Sequence, residues 1–162
     1  SVVRKEPDAH LLWLTTGSCE RVRTLMSTRG INNRNYSIRS VVPREMPSYL
    51  SAADFGVSFI KRCFSKTASS PTKNAEYLAC GLPIIINAGI GDSDELVKLW
   101  NAGILIDDFN DEAFRNAWIA IEKMANDPDV KSKARSIATD VFDLEAVGAE
   151  RYARLYEAVL NA

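Results

Sequence analysis

The chain of 162 residues has a single histidine, only three cysteines and a formal net charge of −1. With His10 alone, a Ser-His-Asp triad is only nominally available. Its place at the head of an apolar strand favours a structural role over general-base work. Cys19, Cys63 and Cys80 are odd in number and lack metal-ligand spacing, so they read as reduced thiols in a cytosolic setting. The near-neutral balance removes any overall electrostatic argument for nucleic acid or a membrane surface. The longest apolar run, 82–88, is far too short to span a bilayer, and no signal peptide is visible. Membrane association is therefore expected only through parts of a protein beyond this sequence. Neither a Walker A motif nor GxGxxG occurs, which leaves an ATPase or an ordinary dinucleotide-binding domain without support. There is no opening methionine, and the charged start Arg4-Lys5-Glu6 fits a boundary inside a larger protein. Arg4 and Lys5 read as solvated residues of a helix rather than as phosphate ligands.

What is present suffices for one soluble domain. Hydrophobic residues make up 46% of the chain and charged residues 25%, so a core can form without covalent staples. Segments 10–15, 36–42 and 54–60 read as strands, and 83–86 (Pro-Ile-Ile-Ile) as a central strand, apolar on both faces. Residues 104–106 give one more. Helical segments separate them. Ser18 is a candidate N-cap for a helix carrying Val22, Leu25 and Met26, which stops at Gly30. Pro47 fits the first turn of a short helix. A helix over 74–80 stops at Gly81. Asp92 with Glu95 reads as a capping box for the next helix, which Gly103 ends. Phe114, Ala117, Trp118 and Ile121 recur at helical spacing, as do Val130, Ala134, Ile137 and Val141 behind a start at Asp127-Pro128. Tyr152, Leu155, Tyr156, Val159 and Leu160 form the stripe of a last helix. This alternation predicts an α/β fold: a Rossmann-like parallel sheet of about five or six strands with helices on both faces.

In such a sheet, ligands bind outside the carboxyl ends of the strands. The most informative loop there is 61–73, polar and without hydrophobic period, ending Ser69-Ser70-Pro71-Thr72-Lys73 against a helix. Hydroxyls, free amides and a lysine at a helix N-terminus make an anion site, although the same residues also suit a solvated cap. Glu76, one turn on and on the face of Lys73, can accept two hydrogen bonds from a vicinal diol or serve as an ordinary first-turn acid. A phosphate site beside a diol acceptor matches a nucleotide. Asp107, Asp108, Asp111 and Glu112 form an acidic cluster that reads as a helix-capping loop rather than a divalent-metal site. Trp13, Trp100 and Trp118 read as core or domain-contact residues.

The run SPTKNAEYLACGLPIIIN, 70–87, resembles the donor-binding motif of the family 4 glycosyltransferases. That pattern is a glutamate-led helix, a small residue, Gly, a variable residue and Pro, then an apolar strand: Glu76, Ala79, Gly81, Pro83 and Ile84 to Ile86. Gly89-Ile90-Gly91-Asp92 is similar to the family's turn after that strand. VPREMPSYLSAAD, 42–54, resembles the segment ahead of the preceding strand. Phe142-Asp143-Leu144-Glu145, Arg151-Tyr152 and Leu155-Tyr156 resemble the closing helices. The similarity runs from about His10 onward.

The resemblance implies that residues 1–162 form the nucleotide-sugar-binding, C-terminal half of a GT-B glycosyltransferase. An N-terminal acceptor domain and the first strand of this domain, with its basic loop, would lie outside the sequence. It implies that Glu76 holds the ribose hydroxyls. Ser70, Thr72 and Lys73 would approach the diphosphate and the donor sugar. Val42 and Pro43 would lie against the base, and Gly17 and Ser18 in the glycine-bearing loop after the first strand seen here. Lys73, with the helix N-terminus, would stabilise the departing diphosphate. The donor would be a sugar nucleotide such as a UDP- or GDP-sugar, and the acceptor a glycan or lipid-linked species held by the other domain. No metal or other cofactor is expected. A base, if used, belongs to the acceptor domain, so this fragment alone would bind without turnover. Many members carry a second glutamate, which touches the donor sugar, at the position that is Ala68 here. Two other readings stay open. One is a nucleotide-sugar epimerase or phosphorylase of the same architecture; the other is a degenerate domain that only scaffolds a partner.

Overall fold

The computed structural model describes residues 8–161, so Arg4 and Lys5 lie outside the described residues. Five strands alternate with helices. Strand β1 (Leu11–Thr15) leads through α1 (Cys19–Thr28) to β2 (Tyr36–Ser40), and a short α2 (Met46–Leu50) leads to β3 (Gly56–Ser58). Helix α3 (Thr72–Ala79), β4 (Ile84–Asn87), α4 (Ser93–Lys98) and β5 (Gly103–Ile106) follow, and then α5 (Asp111–Ala125), α6 (Val130–Phe142) and α7 (Glu150–Leu160).

All strand pairings are parallel. The single sheet expected from the sequence is divided in two: β1 pairs with β2, while β3, β4 and β5 form a second sheet in that order. Among the described residues β1 and β3 each pair on one side only, so no ladder joins the sheets.

The second sheet is built on β4, whose four residues are all buried. Strand alternation sends Ile84 and Ile86 to one face and Ile85 to the other. Ile84 and Ile86 meet Leu78 of α3, Leu96 of α4 and Ala134, Ile137 and Ala138 of α6. Ile85 meets Ile106 and, from α5, Ala117 and Ile121. The stripes read from the sequence on α5 and α6 are thus the faces that cover the sheet. The stripe on α7 is also real, but it covers nothing among the described residues. Its five apolar side chains are 58% to 82% exposed.

Helix α3 starts at Thr72 rather than at residue 74, and three other helix boundaries differ from expectation for local reasons. Asp92 makes no side-chain cap, because its backbone is already helical (φ −84, ψ 0) and not in the extended form that aims an N-cap side chain at the first turn. Asp94 takes the local role instead, accepting from Gly89 N–H at 3.0 Å and pairing with Lys98 at 3.2 Å. The turn out of α4 is made by Asn101, in the left-handed region at φ 53, with its amide on Val97 O and that of Ala102 on Leu96 O. Gly103 lies inside β5, where a β-carbon would overlap the carbonyl oxygen of Ile84 on the neighbouring strand. Helix α6 starts at Val130 rather than at Pro128, and Asp127 braces that start by accepting from Asp129 N–H and Lys133.

Glycine at 103 is therefore a condition for the β4–β5 pairing. Gly103→Ala is expected to lower stability by about 3 kcal/mol or more, as overpacking against a fixed backbone does. Urea denaturation checks this, and an unchanged midpoint would contradict the close approach.

Candidate functional site

The loop between β3 and α3 is not free. It contains a 3-10 turn, Phe64–Lys66, and is fastened to the connection that follows β4 at several points. At its start, Ile60 N–H donates to Oδ1 of the buried Asn87 at 2.7 Å. Arg62 then donates through Nε to Ala88 O at 2.7 Å and through Nη2 to Asp107 O at 2.5 Å. Further on, Lys66 O accepts from Gly91 N–H at 3.0 Å and from Ser69 N–H at 3.2 Å. Gly91 has φ 49, and a β-carbon on it would overlap the Ser69 carbonyl. At the far end, Asn74, which is 2% exposed, donates from Nδ2 to Ser93 Oγ at 3.3 Å. That bond joins the first turn of α3 to the first turn of α4. Among the described residues, Asn74 Oδ1 is buried without a hydrogen-bond donor.

Against this backing stand four of the residues singled out by sequence. Ser70, Thr72, Lys73 and Glu76 are all exposed, on the loop end and the first turns of α3. The N-cap of α3 is Pro71, and no side chain caps the helix. The amides at the start of a helix have no intrahelical partner, so this end offers donors and the positive end of the helix dipole. Neither Lys73 nor Glu76 makes an ion pair among the described residues. Both charges are presented outward. Ala68 is exposed on the same loop.

The other four residues lie at the carboxyl ends of β1 and β2. Gly17 N–H donates to Thr15 Oγ1 at 2.9 Å, and Ser18 Oγ is engaged as the N-cap of α1, accepting from Arg21 N–H. Val42 is 56% exposed, and Pro43 opens a 3-10 turn after β2. None of these four forms a hydrogen bond to segment 61–76 among the described residues. His10 bonds Ser37 across β1 and β2 at 2.9 Å, which fits a structural role.

Sequence reasoning missed Arg62, Lys66, Asn74 and Asn87. Their partners are up to 45 residues away, so no local period announces them. The cap of α5 was also missed. It is Asn110, accepting from Ala113 N–H at 2.8 Å, rather than one of the neighbouring acids. Among the described residues no group of three or more His, Cys, Asp or Glu is placed to hold a metal ion. No helix described is long and apolar enough to cross a membrane. Trp118 packs edge-on against Phe55 at 5.6 Å, whereas Trp13 and Trp100 are partly exposed. A shallow concavity of about 440 Å³ between β5 and α5, lined by Ile104, Asp107, Asn110, Ala113, Asn116 and Ala120, meets loop 61–73 at Asp107, whose carbonyl accepts from Arg62. We take the loop, with the first-turn amides of α3 and the exposed Ser70, Thr72, Lys73 and Glu76, as the candidate site.

Comparison with known proteins bears on the family and the fold. Residues 1–123 match the family described as Glycosyl transferases group 1, and the chain belongs to that family. Among solved structures, sucrose-phosphate synthase from Thermosynechococcus elongatus is similar over 99% of this chain and 41% of its own, at 20% identity and a TM-score of 0.70. WaaG, a glycosyltransferase involved in lipopolysaccharide biosynthesis, is similar over 88% of this chain and 36% of its own, at 18% identity and a TM-score of 0.66. The fold is thus that of GT-B glycosyltransferases, and the chain spans about two fifths of the length of the structures it matches. No curated protein matches the sequence.

The thiols of the site loop and of α3 differ in environment. A hydrogen bond between the Ser65 hydroxyl and the Cys63 sulfur, at 3.4 Å, leads the effects that lower the Cys63 pKa, and burial raises that of Cys80. Thiolate is the reactive form. Iodoacetamide is therefore expected to label Cys63 before Cys80, with the Cys63 rate rising from a lower pH. Mass mapping of the adducts checks the order, and earlier labelling of Cys80 would contradict it.

Proposed function

We propose that this chain is the donor-binding, C-terminal unit of a family 4-like GT-B glycosyltransferase. The observation that carries the reading is the uncapped N-terminus of α3, with Lys73 and Glu76 exposed on it, backed by a loop fastened to the Gly89–Gly91 turn. A nucleoside diphosphate sugar has the complementary groups. Its diphosphate would meet the first-turn amides, the hydroxyls of Ser70 and Thr72 and the ammonium of Lys73. Its ribose hydroxyls would donate to the Glu76 carboxylate. Val42 and Pro43 would lie against the base, and Gly17 with Ser18 would line the neighbouring loop.

In the reaction the bond between the anomeric carbon and the diphosphate oxygen breaks, and the diphosphate leaves with the electron pair. The acceptor hydroxyl oxygen forms the new bond and gives up its proton to a base outside this unit. Lys73 and the end of α3 would stabilise the charge on the leaving diphosphate by fixed electrostatics, with no metal or other cofactor invoked. The acceptor, a glycan or lipid-linked species, would be held by a preceding domain, so the whole enzyme turns over where this unit only binds. The donor would be a UDP- or GDP-sugar used in the cytoplasm. In a doubly wound sheet of order 3-2-1-4-5-6, two runs of strands diverge from a central one. Here β1 pairs with β2, and β3, β4 and β5 form the other run.

Calorimetric titration with UDP, GDP and ADP tests the reading. One of them is expected to bind, and Glu76→Ala to weaken it by about 1.5–3 kcal/mol, roughly ten- to a hundredfold, as a lost charged acceptor does. Absence of binding by all three, or equal binding by the variant, would overturn it.

A further inference from the structure

We propose that Arg62 is a positioning residue for the donor site, and the proposal rests on the donor-site reading above. Arg62 is the one side chain described that ties together the connections following β3, β4 and β5. It stands on the first, and its guanidinium donates to Ala88 O on the second and Asp107 O on the third. Two separate nitrogens are used, Nε and Nη2, so the planar fork fixes the spacing of the two carbonyls as well as their distance from the loop. Ala88 O receives a second donor, Asn87 Nδ2 at 3.3 Å, and Asn87 also holds Ile60, two residues before Arg62. The fastening is thus a small network between buried and exposed partners.

Its consequence lies further along the loop. Beyond Arg62 the loop returns to the β4 connection at Lys66 O and Gly91 N–H, and there the Ser69 carbonyl occupies the space beside the bare α-carbon of Gly91. Ser70, Thr72 and Lys73 follow directly. A loop of this length would sample many arrangements if held only at its ends. With Arg62 fixing its start against the connections after β4 and β5, the Lys66–Gly91 bond closes a short span, and the anion-binding end is set before ligand arrives. Both acceptors of Arg62 are carbonyls and not carboxylates, so the bonds leave its positive charge in place at the rim. Bridging and charge are two separate ways for Arg62 to act, and geometry assigns the first.

Arg62→Lys and Arg62→Met in the intact protein separate them. Lysine keeps the charge, but its single nitrogen cannot reproduce the fork. Nucleoside diphosphate affinity is read by calorimetry, and hydrogen exchange at the Gly91 amide is read in the same samples. Both variants are expected to lose about tenfold in affinity, on the scale of charged hydrogen bonds, and to exchange Gly91 N–H faster. Glu76→Ala should lose affinity with Gly91 exchange unchanged. Full affinity in Arg62→Lys beside a loss in Arg62→Met would mean that charge alone acts, and would overturn the proposal. So would wild-type affinity and exchange in Arg62→Met. A wild-type protein that binds none of UDP, GDP and ADP would remove the donor reading and this inference together, whereas the preceding outcomes strike the inference alone.

Discussion

Ser69 holds its carbonyl where a β-carbon on Gly91 would stand, and much of the site depends on that approach. It brings the loop after β3 onto the turn after β4, close enough for Gly91 N–H to reach Lys66 O. Once those two backbones meet, the direction in which α3 leaves the loop is set. The first turn of α3 then lies beside that of α4, where Asn74 and Ser93 bond out of reach of solvent. The exposed groups, Ser70, Thr72, Lys73 and Glu76, inherit their placement from backbone contacts and not from contacts of their own.

The frame beneath the site is β4. Its isoleucines alternate between α3, α4 and α6 on one face and α5 on the other, so the strand cannot slip by one residue without exchanging the two cores. Gly103 lets β5 come alongside, and Asn87, at the carboxyl end of β4, fastens the start of the loop after β3. Parallel strands thus deliver three connections to one edge, where Arg62 crosses them. Membership of the group 1 glycosyl transferases and the GT-B likeness give that edge its chemical context.

The parts of this arrangement that were legible in the sequence are those written in local periods. Pro83 to Ile86 announced a strand buried on both faces, and the stripes of α5 and α6 announced their covered sides. The SPTK segment ahead of Glu76 marked the loop end that carries the exposed polar groups. What was not legible depends on partners distant in the chain. Gly103 looked like a helix stop because glycine commonly ends helices, whereas its reason is a carbonyl on the neighbouring strand. Asp92 and Glu95 had capping-box spacing without the extended backbone that a capping box needs. Arg62 stood in a polar run where nothing local told it from a solvated charge. The division into two sheets was hidden too, because strand composition does not say which strands pair. On α7 the period was read correctly, but a stripe on one helix does not say what covers it.

The central claim is that nucleotide chemistry belongs to the edge made by loop 61–73, α3 and the Gly89–Gly91 turn. The most direct measurement follows the backbone amide resonances of the protein during titration with a nucleoside diphosphate. The account predicts that the amides of Thr72, Lys73 and Gly91 move first and furthest, with those around Val42 responding to the base. Shifts confined to the concavity between β5 and α5, at residues such as Ile104, Asn110 and Asn116, would contradict it.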